Sequence, residues 1–60
     1  MNGQSYEASE LGFAPGQWPA DVMIGGHLYL RGYVAMDRDG DVQYVVYDRP
    51  GLPAIKVWND

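Results

Sequence analysis

Three aspartates at alternate positions, Asp37, Asp39 and Asp41, are the spacing in this chain that most resembles chemistry, and Asp48 falls at the twelfth position of the same frame. Oxygen donors at positions one, three, five and twelve are what a calcium loop uses, but such a loop also needs Gly at position six and usually Glu at twelve. Here position six is Val42, Gly40 comes two residues early, and residues 42–47 read as strand. A turn organised by aspartate side chains accounts for the run, so neither a metal nor another cofactor is expected. Ser5, Ser9, His27 and the aspartates form no nucleophile arrangement, and a Gly-x-Ser-x-Gly elbow does not occur. The single histidine stands next to Gly25-Gly26 as a turn-flanking residue, without the second group and pocket that acid–base catalysis requires. Gly25-Gly26 is too short to cradle phosphate and leads into a strand, not a helix. The expectation is a protein that is not an enzyme.

Arg31 among Tyr29, Tyr33 and Tyr47 is the remaining candidate, because a cation beside aromatic rings can stack bases of single-stranded nucleic acid. The charge balance opposes it. Eight acidic residues against four basic ones give a formal charge of −4, whereas a phosphate-backbone binder needs clustered Lys and Arg. Cross-strand packing of Arg31 on a tyrosine explains the same residues.

The elements that would position these residues centre on His27 to Asp48. In HLYLRGYVAM the even residues Leu28, Leu30, Val34 and Met36 fall on one face of a strand, and His27, Tyr29, Arg31 and Tyr33 on the other. Asp37-Arg38-Asp39-Gly40 suits a type I turn with Gly in the left-handed position. That turn sets Met36 by Val42, Val34 by Tyr44 and Leu30 by Asp48, so the apolar even face continues as Val42, Tyr44 and Val46. Gly25-Gly26 closes a hairpin that pairs Ile24 with His27, Met23 with Leu28 and Val22 with Tyr29. Arg49-Pro50-Gly51-Leu52 suits a type II turn, and a tight register beyond it puts Ile55 by Val46 and Val57 by Tyr44. Ala54, Lys56 and Trp58 then join Val45 and Tyr47 on the odd face.

Upstream, Ser5–Leu11 could make two helical turns ending at Gly12, and the two prolines of Phe13–Pro19 exclude regular structure there, leaving Phe13 and Trp18 as anchors. Tyr6, Leu11, Phe13 and Trp18 are enough to cover one sheet face and not two. The odd face, with Val22, Ile24, Tyr29, Tyr33, Val45, Tyr47 and Trp58, is too apolar for water, so the arm, a second copy or another molecule must cover it. The expected contact residues are Tyr29, Arg31, Tyr33, Tyr47 and Trp58.

Sixty residues without cysteine form at most one small domain, which disulfides and Cys-based zinc sites cannot support. No apolar run reaches the length of a membrane span, and the N-terminus lacks a basic segment followed by an apolar one, so a cytoplasmic protein without membrane contact is expected. The segment Tyr6–Phe13, YEASELGF, resembles the opening of SH3 domains, which bind Pro-rich ligands through an acidic, aromatic surface. The paired tryptophan and the spacing that follow in that family are missing, so none of its binding residues is carried over. The expected fold is mainly β: one domain over residues 1–60, in which a helix or wrapped Pro-aromatic arm (1–20) precedes a four-stranded antiparallel meander (21–60), open or curled into a small SH3- or OB-like barrel. The expected function is protein–protein contact by a small acidic accessory protein, bacterial or phage, that associates as a homodimer. A small barrel binding single-stranded nucleic acid or a small ligand through an aromatic face is the alternative.

Overall fold

The computed structural model describes residues 4–60, which form one mixed five-stranded sheet curled into a half-barrel. The strands are β1 (Ser5–Glu7), β2 (Asp21–Ile24), β3 (His27–Met36), β4 (Val42–Arg49) and β5 (Leu52–Trp58), in the order β1-β5-β4-β3-β2. β2 to β5 are the expected antiparallel meander. β1 adds a parallel strand beside β5, pairing Ser5 with Lys56 and Glu7 with Trp58.

The helix expected over Ser5–Leu11 is corrected in part. Its first half is β1, and only Ala8–Leu11 forms a short 3-10 turn, with Gly12 closing it in the left-handed conformation as anticipated. The Glu7 N–H donates to the Glu10 carboxylate at 2.7 Å, which satisfies the entry to the turn. A segment this short cannot sustain helix alone, and an open edge of β5 offers the Ser5–Glu7 backbone better partners.

Turn chemistry follows the residues. Gly25 and Gly26 both have positive φ, the requirement of a tight type I′ hairpin, and the β2–β3 register is the expected one. The Asp37 carboxylate accepts the N–H groups of Asp39 and Asp41 at 2.9 Å each, so the aspartate run organises the β3–β4 turn.

The registers beyond the turns depart from expectation by single residues. Leu30 pairs with Asp48 and Met36 with Val42 as anticipated, but Val34 meets Val45 and Ala35 meets Tyr44. One irregularity in β3 after Arg31 and a compensating one in β4 next to Val42 produce this shift. In the last hairpin Arg49 pairs with Leu52, as the turn demands, yet Ile55 then pairs with Tyr47 and Val57 with Val45. The extra residue lies where Pro53 has no N–H to give the ladder. Its consequence is large. Ile55 and Val57 share a face with Val45 and Tyr47, while Lys56 and Trp58 turn to the opposite side with Val46 and Tyr44.

The odd face is therefore the core. Tyr29, Val45, Tyr47, Ile55 and Val57 are buried together with Ala8, and Tyr6, Leu11, Phe13 and Trp18 pack against them. Phe13 stands edge-on to Trp18 (centroids 6.0 Å apart) and tilted on Tyr47 (6.2 Å), and the Tyr47 hydroxyl donates to the Pro19 carbonyl at 2.8 Å. The aromatic anchors of the arm thus cover the odd face, one of the coverings the sequence left open.

Gly32 lies within the β3 irregularity. A Cβ there would stand 2.5 Å from the Asp48 carboxylate and 3.2 Å from the Val46 carbonyl oxygen. Gly32→Ala is expected to destabilise the protein by about 1–3 kcal/mol, and Gly32→Ala with Asp48→Ala by less than the sum of the two single changes. Urea midpoints of the four proteins in the cycle measure this; additive values would disprove the close approach.

Candidate functional site

The face opposite the core has no covering segment among the described residues. It is built in cross-strand rows, because partners in register share a face. Met23 and Leu28 form the row nearest the Gly25-Gly26 turn, Leu30 lies between Asp21 and Asp48 in the next, Val46 and Lys56 follow with Ser5, and Ala35, Tyr44, Trp58 and Glu7 form the last. Met23 is 62%, Leu30 55% and Leu28 42% exposed, more than a chain normally leaves on one surface by accident. The aliphatic end belongs to β2 and β3. The other end is aromatic: the Tyr44 and Trp58 rings are 4.9 Å apart, and the Lys56 ammonium lies 4.5 Å and 5.2 Å from their centroids. That geometry is a cation–π pair that leaves Trp58 exposed.

The five expected contact residues do not share this surface. Tyr29 and Tyr47 lie in the core, where they hold the arm and sheet together. Arg31 is on the core side, its guanidinium donating to the Trp18 carbonyl and its N–H to the Ala20 carbonyl at 2.9 Å. Tyr33 is exposed at the β3 irregularity, and Trp58 alone lies on the open face. Met23, Leu28, Leu30 and Val46, outside the expected contact set, belong to the apolar period-two pattern of the even face.

A concavity of about 130 Å³ lies between the arm and the C-terminal residues and is lined by Ala8, Ser9, Phe13, Trp18, Asn59 and Asp60 among others. The Asp60 carboxylate accepts the Ser9 hydroxyl and the Ser9 N–H (3.1 Å), which holds its pKa below the ordinary value. This pair fastens the turn to the chain end; His27, on the exposed start of β3, is not among the residues lining the cleft. The volume is well below the several hundred Å³ of a small-molecule site. Among the described residues no group of three or more His, Asp or Glu side chains is placed to hold a metal ion, and no helix is long and apolar enough to cross a membrane. Comparison of the chain with family models, with curated proteins and with solved structures finds no match.

Burial pushes the Tyr47 hydroxyl above its ordinary pKa of 10.0, with the Arg31 charge opposing. A pKa raised by folding adds stability below the unfolded value and withdraws it as pH climbs toward the folded one. Stability should therefore fall as pH rises above about 10, and Tyr47→Phe should make that fall shallower while costing about 1 kcal/mol near neutrality. Denaturant midpoints across that range decide it; parallel pH profiles for the two proteins would contradict it.

Proposed function

We propose that this protein is a non-catalytic contact module that works by protein–protein association, and that its contact surface is the open face of Met23, Leu28, Leu30, Val46 and Trp58. One observation carries the reading: the chain has two apolar sheet faces and one arm, and the arm is spent on the core side. A second copy is the simplest partner, since a two-fold face-to-face contact needs no other component. A small acidic accessory protein of the cytoplasm, bacterial or phage, fits a chain of this size and charge.

Sedimentation velocity over a range of concentrations tests this. The wild-type chain is expected to associate, more strongly as salt screens the −4 charge of each copy. Met23→Lys with Leu30→Lys should weaken that association by about tenfold or more, because it places charges in an apolar contact. The fold tolerates this pair of changes: Leu30 lies between Asp21 and Asp48, and both side chains are exposed. Association unchanged by the double substitution would refute the open face as the contact surface.

The Tyr44–Trp58–Lys56 cluster favours a second reading, in which exposed rings beside a cation stack bases of single-stranded nucleic acid. Fluorescence anisotropy of a labelled oligothymidine separates the two. Binding that weakens with salt and is lost in Trp58→Ala would support this reading; no binding at low salt would leave the protein–protein reading alone.

A further inference from the structure

The sheet is open along the second half of β3. β2 pairs with β3 only from His27 to Leu30, and the Arg31 N–H closes that ladder on the Ala20 carbonyl. Among the described residues, no strand lies beside 32–36 on the side away from β4. The Asp37 N–H turns toward β4, to the Asp41 carbonyl at 2.8 Å. Backbone groups of a strand point alternately left and right. The N–H and C=O of Met36 and Val34 therefore point outward, while those of Ala35 face Tyr44. Val34 and Met36 are 39% and 57% exposed, and residues 32–36 carry no charge. Of the devices that usually blunt an edge, the irregularity after Arg31 bounds this stretch, and Val34–Met36 beyond it holds no lysine or proline.

We infer that Val34–Met36 is a strand-pairing edge that takes the same segment of a second copy, antiparallel about a two-fold axis at Ala35. In that register Val34 of one copy opposes Met36 of the other. Each pair exchanges an N–H and a C=O in both directions, so all four outward donors find acceptors. The pairing ends at Val34 and Met36, because Arg31 is bonded to Ala20 and Asp37 turns back to Asp41 of its own chain. An uncharged, exposed segment that matches its own hydrogen-bond pattern about Ala35 is suited to a copy of itself. The contact is short, so the association is weak and concentration-dependent. This seam is separate from the open face and does not rest on it; a chain with both would assemble beyond a dimer.

The test uses the full chain with Met23→Lys and Leu30→Lys, which weakens the open-face contact. This protein is expected to form dimers at high concentration in sedimentation velocity, and its Val34 and Met36 amides to exchange more slowly as concentration rises. Adding Met36→Pro removes an outward N–H and no intrachain bond, and should raise the dimer dissociation constant about tenfold or more. Val34→Lys, which keeps the N–H but puts like charges beside the axis, should do the same. Matching thermal melts of background and variants establish that the fold is retained. The inference is overturned if the background protein stays monomeric with concentration-independent exchange, or if neither added change weakens the dimer. Either result leaves the open-face reading untouched, because that reading fails only if the lysine pair has no effect on wild-type assembly.

Discussion

Tyr47 is the side chain through which the arm and the sheet become one structure. It is fully buried, carries Phe13 against its ring and donates its hydroxyl to the Pro19 carbonyl. Ile55 lies beside it in register. A sixty-residue chain without disulfides has little apolar surface to spare, and a sheet with one covered face is the smallest arrangement that closes a core. A loop with two prolines four residues apart cannot form regular structure, so aromatic contacts and carbonyl acceptors must hold it down. Tyr47 and Arg31 supply these, the first to Pro19 and the second to Trp18.

Covering one face leaves the other with a divided character. Its aliphatic rows on β2 and β3 are open, while Lys56 shields part of the Tyr44 and Trp58 rings. A lysine laid over two rings keeps their surface partly dry without burying its charge. The acidic residues of this face, Glu7, Asp21 and Asp48, stand at the ends of its rows. Charges are thus interspersed with the apolar residues, Lys56 between Val46 and Ser5 and Asp48 beside Leu30, and the continuous apolar part is the Met23, Leu28 and Leu30 end.

Three single-residue shifts decide which side chains meet. The β3 irregularity contains Gly32, whose missing Cβ leaves space for the Asp48 carboxylate. The compensating one in β4 restores the register at the Asp37–Asp41 turn. The third, by Pro53, exchanges the faces of Ile55 and Val57 with those of Lys56 and Trp58. A period of two amplifies each shift, because moving one position changes every face beyond it.

The amino-acid sequence by itself determined the β-meander, the β2–β3 hairpin and the turn at Asp37–Asp41, since each follows from local turn chemistry and alternation. It also contained the count that matters most for function, two apolar faces against one arm. Only the tertiary structure decided which face the arm would cover. Both faces alternate equally well, and the choice depends on whether Tyr47 and Tyr29 or Leu28 and Leu30 fit better under Phe13 and Trp18. That is a matter of packing between residues distant in sequence, and period-two patterning does not contain it. The parallel pairing of Ser5–Glu7 with β5 was illegible for the same reason: three residues carry no strand signal, and the partner lies some fifty positions away.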